Sequence, residues 1–282
     1  MTRAIDYLCG DFTPDGIRKN FVEGDEREIL ERIGKTAPEG REPKEFMANL
    51  SKVGVEKILV VGLVSWNYWR QRPVEETTVE EIVKLRDGFH DRIFGLFGVN
   101  PLRRLDGVKQ LERAVKDHDF RGAHVHPHGW RLGGPNHAWF YPYYAKCAEL
   151  GIPVVITMGH TMDDMPLDAG RPSHVDEIAL YFPELPIVIA HTGWPWVEEA
   201  LAVASKHPNV YLGTSAHSPK YWKPEMIQFL NSRRGRGKVL FGTDYPIVAH
   251  AAAIKQIEEM ELREESKQAL LHDVAARLFK LD

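Results

Sequence analysis

Histidine is the residue type in this sequence that is most able to do chemistry. The chain of 282 residues contains 13 histidines, and neutral imidazole is both the commonest metal ligand and a proton carrier near neutral pH. Several of them follow short apolar runs, and a carboxylate follows the apolar run at residues 239–242. These residues are His124, His126, His128, His160, His191, His217 and Asp244. A single histidine is more often a hydrogen-bonded structural residue, but so many at equivalent positions indicate a site.

Each of these residues lies at or just after a segment with the pattern of a buried parallel strand. Apolar runs that lead into polar clusters and then into helical patterns are typical of repeated βα units. The predicted strands cover residues 4–9, 55–63, 93–99, 121–126, 152–158, 186–191, 209–214 and 238–243. The predicted helices cover residues 44–53, 75–90, 105–117, 136–150, 173–182 and 247–281. This alternation predicts a (β/α)8 TIM barrel, an α/β fold in which the loops after the strands build the active site.

The length of the chain fits one barrel of about 250 residues and leaves little room for a second domain. We therefore predict a single domain over residues 1–282. Residues 11–43 are dense in charge, Gly and Pro, and they are too long for a simple βα loop. We expect them to form an insert near the barrel mouth, as a lid or a partner surface.

The composition excludes several classes of function. The formal net charge is -4, and the sequence has no basic stripe of the kind that nucleic-acid binding needs. No apolar run approaches the length of a membrane span. The two cysteines, Cys9 and Cys147, and the absence of a cationic, apolar leader predict a reducing, cytoplasmic location without disulfides. We expect a small-molecule substrate and neither a nucleic acid nor a membrane as partner.

Residues other than histidine also qualify as substrate contacts. Arg171 has the side chain to clamp a carboxylate, although surface ion pairing is the commoner role of such an arginine. Trp130 and Trp194 follow predicted strands and could line an aromatic pocket. Cys9 could act as a nucleophile, but no base neighbours it in the sequence.

Three motifs resemble the amidohydrolase superfamily, in particular the amidohydrolase-related group that includes aminocarboxymuconate-semialdehyde decarboxylase. They are residues 145–154, Ala190-His-Thr-Gly-Trp-Pro195 and Phe241-Gly-Thr-Asp-Tyr-Pro246. The resemblance implies a metal held by a strand-one His-x-His pair, a strand-five His, a strand-six His and a strand-eight Asp. His191 and Asp244 match the last two positions.

The chain departs from that pattern at the other three positions. Leu8 and Gly10 stand where the strand-one histidines are expected, and neither side chain can bind a metal. Thr157 aligns with the strand-five histidine, and His160 is its candidate substitute. The usual ligand set therefore cannot be carried over intact.

Two kinds of site remain open. In one, His126 or His124 joins His160, His191 and Asp244 around a zinc or manganese ion with an open coordination position, where water is activated. In the other, no metal binds, and Asp244 takes the proton of water while histidines and an arginine polarise the carbonyl. We favour the second, because losing the strand-one pair removes the ligands nearest the barrel axis.

The resemblance and the residues together predict a hydrolase of a lactone, ester or amide of a small, aromatic-derived carboxylic acid. The predicted catalytic residues are Asp244, His191 and His160, and the predicted substrate contacts are His124, His126, Arg171, Trp130 and Trp194. A non-oxidative decarboxylase is the alternative enzyme, and a barrel that binds a ligand without turnover is the non-catalytic alternative. Aromatic surface loops and the resemblance also favour a homodimer.

Overall fold

The core of the computed structural model, which describes residues 3–24, 26–162 and 164–281, is a sheet of parallel strands. The strands are β1 (Ala4–Cys9), β2 (Val55–Val61), β3 (Val64–Trp66), β4 (Pro73–Glu76), β5 (Ile93–Gly98), β6 (Gly122–Val125), β7 (Val154–Ile156), β8 (Ile187–Ile189), β9 (Val210–Gly213) and β10 (Val239–Leu240). Eight of them form one sheet in the order β1-β2-β5-β6-β7-β8-β9-β10, and β3 pairs with β4 in an antiparallel hairpin.

The sheet closes on itself between β1 and the segment that follows β10. The Tyr7 amide donates to the Phe241 carbonyl at 3.1 Å, and the Asp244 amide donates to the Leu8 carbonyl at 2.9 Å. A parallel bridge joins Cys9 to Tyr245. The predicted (β/α)8 TIM barrel is confirmed, and Asp244 is tied directly to the closing seam.

Helices cover the outside of the barrel, as parallel strands buried on both faces require. They are α1 (Pro14–Ile17), α2 (Arg27–Arg32), α3 (Pro43–Lys52), α4 (Val79–Leu85), α5 (Arg104–His118), α6 (Tyr141–Leu150), α7 (His174–Tyr181), α8 (Val197–Lys206), α9 (Pro224–Asn231), α10 (His250–Glu258), α11 (Glu264–Gln268) and α12 (Val274–Phe279). Short 3₁₀ turns span Pro101–Arg103, Leu167–Gly170, His191–Gly193 and Pro219–Tyr221, and π turns span Arg18–Val22 and Ala269–Asp273. None of the helices in the described ranges is long and apolar enough to cross a membrane.

Successive side chains of a strand point to opposite faces of the sheet, so the core has one part inside the barrel and one part between the strands and the helices. Ile5 and Tyr7 of β1 point into the barrel, where they share a cluster with Phe279 of the C-terminal region. Phe279 lies against the start of β6, since its ring is 3.3 Å from a β-carbon built on Gly122. The C-terminal helix therefore closes the end of the barrel at which the strands begin. The opposite end, where the strands finish, is left for a site.

One predicted helix was wrong in its first part. Residues 75–90 were predicted to be helical, but Pro73–Glu76 pair with Val64–Trp66 as a hairpin and the helix spans only Val79–Leu85. Thr78 caps that helix, because its hydroxyl accepts from the Glu81 amide and the Glu81 carboxylate accepts from the Thr78 amide. The cap fixes the helix start after the hairpin.

The segment predicted as an insert, residues 11–43, crosses the end of the barrel where the strands finish. Ile17, Phe21 and Leu30 form a small apolar cluster against Ile247, which follows β10. Arg32 contacts the loop after β7, through the Met162 carbonyl and the Asp164 carboxylate, the latter at 3.2 Å. The described part of this segment thus spans from the loop after β10 to the loop after β7.

Candidate active site

A cavity of about 870 Å³ opens at the end of the barrel where the strands finish. Pockets of this volume accommodate small organic ligands. Of the residues predicted to form the site, the cavity brings together His124, His126, His160, His191, Trp194 and Asp244. They come from the end of β6 and from the segments that follow β7, β8 and β10.

Asp244 follows the last strand and borders the cavity. Its φ of +52° lies in the left-handed region, which a non-glycine residue adopts at a cost that functional sites often carry. Backbone bonds hold it there, because its amide donates to Leu8 and its carbonyl accepts from Ile247 at 2.8 Å. Burial raises the pKa of the Asp244 carboxyl; the positive form of His191 opposes this shift and the Asp6 charge adds to it. Asp244 is therefore a better base than an exposed aspartate.

His191 is held in one orientation by Ser215. The His191 Nδ1 atom lies 3.2 Å from the Ser215 carbonyl oxygen and 3.0 Å from Ser215 Oγ. A carbonyl only accepts, so we assign the imidazole proton to Nδ1, which leaves the Nε2 lone pair without a proton. The Tyr7 hydroxyl lies 2.5 Å from Ser215 Oγ and supports it from inside the barrel.

Three histidines at the end of β6 are buried and neutral. Burial is the main cause that lowers the pKa values of His124, His126 and His128, to about 4 for His126. His124 Nε2 lies 2.9 Å from the Thr157 hydroxyl. The Nδ1 atoms of all three have no hydrogen-bond partner within the described ranges. Buried polar atoms are normally paired; of these three histidines, His124 and His126 border the cavity and His128 does not.

His160 and Trp194 form one wall of the cavity. The His160 amide donates to the Trp194 carbonyl at 2.6 Å, and their rings meet edge to face with centroids 5.3 Å apart. Burial lowers the pKa of His160. On the other side of Trp194 lies His217, whose Nδ1 atom is 2.9 Å from the Thr192 hydroxyl.

Two predicted substrate contacts do not border the cavity. Arg171 pairs with Glu199 at 3.2 Å and lies over the Trp196 ring, on the outer surface. Trp130 stacks on Trp66 with ring centroids 4.7 Å apart. Its indole nitrogen donates to the His126 carbonyl at 2.7 Å. Trp130 therefore supports the loop that carries His126 instead of lining the cavity.

Sequence reasoning missed several cavity residues. Lys35 comes from the predicted insert, and Lys220 comes from the loop after β9. His217 was noted at the end of its strand but was given no role. Ser215 and Tyr7, which hold His191, were not singled out either. A polar residue directly after β9 was the available signal for Ser215.

The donor set does not fit the metal site that the resemblance implies. Leu8 borders the cavity where the first strand-one histidine is expected. At Gly10 a β-carbon would lie 2.6 Å from the Tyr245 carbonyl oxygen, so no larger side chain fits without a shift. Thr157 takes the strand-five position and is engaged by His124. Three of the implied ligand positions therefore cannot supply a nitrogen.

The predicted substitute ligands do not converge either. Within the described ranges, the group of metal-ligand atoms found within 4.8 Å of one another is that of Asp6, Cys9 and His250, and His126, His160, His191 and Asp244 form no such group. The Asp6 trio is engaged internally, since Asp6 already accepts from His250 at 2.8 Å. Burial also raises the pKa of the Cys9 thiol well above its usual value, which disfavours the thiolate that a metal needs.

The barrel places a histidine and an aspartate at the ends of its sixth and eighth parallel strands, the two positions at which this chain matches the amidohydrolase pattern. The amidohydrolase family model matches residues 51–281. The chain belongs to this amidohydrolase family. A comparison with proteins of curated function found no match.

Solved structures with the same fold include both decarboxylases and a hydrolase. An uncharacterised TIM-barrel protein from Bordetella bronchiseptica superposes with a TM-score of 0.79 at 22% identity, covering 99% of both chains. A 5-carboxyvanillate decarboxylase from Novosphingobium aromaticivorans with bound manganese gives 0.68 at 16% identity, covering 99% of this chain and 97% of that one. A probable 2-pyrone-4,6-dicarboxylic acid hydrolase from Acinetobacter baumannii with bound citric acid gives 0.66 at 14% identity, covering 99% of both chains. Proteins with this fold thus include decarboxylases and a probable hydrolase.

Proposed function

We propose that this protein is a hydrolase of a lactone or ester of a small carboxylic acid, with Asp244 as the general base. The observation that carries the proposal is the position of Asp244, a carboxylate with a raised pKa that borders a cavity of about 870 Å³. Among the described residues, no ion pair within 4.0 Å and no side-chain hydrogen bond engages its carboxylate, which leaves the oxygens available to a water molecule.

The chemistry follows from the groups around the cavity. Asp244 removes a proton from water as the water oxygen attacks the carbonyl carbon. Imidazole N–H groups on His124 and His126, which are neutral near pH 7, donate to the oxygen on which negative charge develops. When the carbon–oxygen bond breaks, the proton held by Asp244 passes to the leaving oxygen. This sequence consumes one water and gives an acid and an alcohol from an ester, or one hydroxy acid from a lactone.

His191 and His160 have supporting roles in this scheme. The Nε2 lone pair of His191 accepts a hydrogen bond from the attacking water and so orients it beside Asp244. His160 and Trp194 form the wall against which an apolar or aromatic ring lies. No step is assigned to a metal, because Leu8, Gly10 and Thr157 cannot supply the ligands that the family pattern requires.

Non-oxidative decarboxylation is the second candidate, and the decarboxylases among the similar structures favour it. Loss of carbon dioxide leaves a carbanion that must receive a proton. A carboxyl with a raised pKa keeps its proton to a higher pH than an exposed aspartate does, so Asp244 would act as an acid instead of a base. The two candidates therefore use the same residue in opposite protonation states.

Product analysis separates the two candidates. The protein, prepared without a polyhistidine tag, is incubated with a panel of small lactones, aryl esters and hydroxybenzoic acids, and acid release and carbon dioxide are measured in the same reaction. Hydrolysis predicts acid without carbon dioxide, and it predicts that activity survives removal of metal by a chelator. Equimolar carbon dioxide would establish the decarboxylase instead.

Metal dependence and the absence of turnover are the remaining outcomes. Stoichiometric metal whose removal abolishes turnover would contradict the metal-free scheme. If the parent protein binds members of the panel but turns none of them over, the barrel is a binding protein and the enzymatic proposal fails.

A further inference from the structure

The hydrogen bonds of Asp6 reach the backbone on both sides of Asp244. Asp6 Oδ1 lies 3.1 Å from the Thr243 amide, which donates to it, and Asp6 Oδ2 lies 2.5 Å from the Thr243 hydroxyl. The Tyr245 amide donates to that same hydroxyl oxygen at 3.2 Å. The residues directly before and after Asp244 are therefore both tied, through one threonine side chain, to a fully buried carboxylate.

The carboxylate determines the direction of each hydrogen bond in this network. A carboxylate only accepts, so the Thr243 hydroxyl donates to Asp6, and so does His250 Nε2 at 2.8 Å. Because the hydroxyl proton points at Asp6, the lone pairs of the Thr243 oxygen are free to accept from the Tyr245 amide. Asp6 thus sets the orientation in which Thr243 holds Tyr245.

The backbone of Asp244 needs this support. Its φ of +52° lies in the left-handed region, which a residue with a β-carbon keeps only when its surroundings hold it there. The Asp244 amide donates to the Leu8 carbonyl at 2.9 Å, and the Leu8 amide in turn donates to Asp6 Oδ1 at 3.0 Å. Hydrogen bonds that involve Asp6 therefore constrain the residue before Asp244, the residue after it and the strand to which Asp244 is bonded.

The network is separated from the cavity. Asp6, Thr243 and His250 are all buried, and the described residues that line the cavity include none of them. Asp244 does line it. Any influence of Asp6 and Thr243 on a bound ligand therefore passes through Asp244.

We infer that Asp6 and Thr243 are positioning residues, which hold Asp244 in the backbone conformation that presents its carboxylate to the cavity. Asp244 acts here as the base of the proposed function, on which this inference rests. Without the Thr243 hydroxyl, Asp244 relaxes to the negative φ that L residues prefer, and its carboxylate is displaced. Displacement of the base slows the chemical step, whereas substrate affinity depends on the other residues around the cavity.

Crystal structures test the positioning without any turnover. Thr243→Val keeps the shape of the side chain but loses the hydroxyl, and Thr243→Ser keeps the hydroxyl. We expect Asp244 to leave the left-handed region in Thr243→Val and to keep its positive φ in Thr243→Ser. Thr243→Ala is the second variant without a hydroxyl, should the valine variant not fold. An Asp244 that keeps its positive φ without the hydroxyl would overturn the inference.

Kinetics show whether this conformation matters for catalysis. With a substrate from the product assay, Thr243→Val should lose roughly 10- to 100-fold in kcat, with KM changed by less than about threefold, and Thr243→Ser should recover most of the loss. Tyr144→Phe is the matched control, because it removes a buried hydroxyl that donates to the Pro135 carbonyl at 2.8 Å on the outside of the barrel. This control should lose stability but keep kcat.

Failure of the hydrolase and failure of the positioning give different results. A parent that turns over no member of the panel fails the product assay, and the conformation of Asp244 in the crystal structures then decides the positioning role alone. With an active parent, a Thr243→Val variant that keeps the parental kcat would overturn the inference even if Asp244 has moved. Loss of kcat in Thr243→Val together with a displaced Asp244 and recovery in Thr243→Ser is the expected result.

Discussion

Two aspartates on either side of the closing seam of the barrel have opposite environments. Asp6 is fully buried on the side of β1 that faces the helices. Its carboxylate accepts hydrogen bonds from the amides of Leu8 and Thr243 and from the side chains of Thr243 and His250. Asp244 belongs to the same seam, where its amide donates to the Leu8 carbonyl, but Asp244 borders the cavity. The aspartate with its partners inside the fold stabilises the fold, whereas the one without them is available to a ligand.

The same contrast separates the histidines. His250 shares its Nε2 atom with Asp6 at 2.8 Å and Thr243 at 3.3 Å. His124 and His126, which border the cavity, each have a buried nitrogen without a protein partner in the described ranges. Counting histidines in the sequence cannot distinguish these two groups, but their hydrogen-bond partners do.

The largest effect on stability is expected from Asp6→Asn. An asparagine amide would point a donor at the donors that now serve the carboxylate, and a buried donor left without its acceptor costs about 1–3 kcal/mol. Urea unfolding at pH 7 measures the change in the free energy of unfolding. The exposed Asp87→Asn is the matched control and should change it by less than about 0.5 kcal/mol. A loss below about 1 kcal/mol for Asp6→Asn would contradict the structural role of Asp6.

Glu75→Gln is expected to stabilise the protein at alkaline pH. Glu75 is buried and accepts from Asn20 of the segment over the barrel mouth at 2.9 Å, and burial raises its pKa from 4.5 to about 8. A carboxyl with a raised pKa contributes stability that is complete below its unfolded pKa and is lost as the pH rises through its folded pKa. The parent should therefore lose stability as the pH rises towards about 8 and level off above it, and the variant should lose roughly 1–3 kcal/mol less.

Unfolding curves recorded between about pH 6 and pH 9 test this difference. Glu80→Gln, on the exposed side of α4, serves as the control and should follow the parent. Parallel curves for the parent and Glu75→Gln would show that Glu75 is ionised in the folded protein.

Ser215→Ala should have a smaller effect, in which catalysis falls and stability decreases modestly, because the buried Tyr7 hydroxyl also loses its partner. Losing Ser215 Oγ removes the contact at 3.0 Å to His191 Nδ1, although the Ser215 carbonyl remains. We expect kcat to fall about tenfold with little change in KM, because His191 is oriented less well. Ser218→Ala, at the rim of the same cavity, should retain kcat. An unchanged kcat for Ser215→Ala would show that the Ser215 hydroxyl does not position His191.

The barrel could be predicted from the sequence because each strand is a short apolar run with a polar end. The β3–β4 hairpin could not, since Glu75 and Glu76 fit a helical pattern equally well and only their pairing with Val64 and Ser65 makes them a strand. Pairing between segments is a tertiary property that local propensity does not contain.

The candidate site was predictable where it depends on strand ends. His191 and Asp244 border the cavity because barrel geometry places the ends of strands together. Arg171 does not border the cavity, because it lies in a long loop and pairs with Glu199 of α8. The Ser215 contacts to His191 and Tyr7 join residues 24 and 208 positions apart, a separation at which sequence spacing carries no signal.

The most direct measurement of the central claim is the turnover of a carboxylated lactone by Asp244→Asn. The variant should lose about 10²–10⁴-fold in kcat/KM without a loss of stability, because the amide removes the cost of a buried carboxylate. In the parent, kcat/KM should fall as the pH drops through the raised pKa of Asp244, at a pH above the ordinary aspartate value of about 3.9. An Asp244→Asn protein that still turns over the lactone at the parental rate would contradict the account.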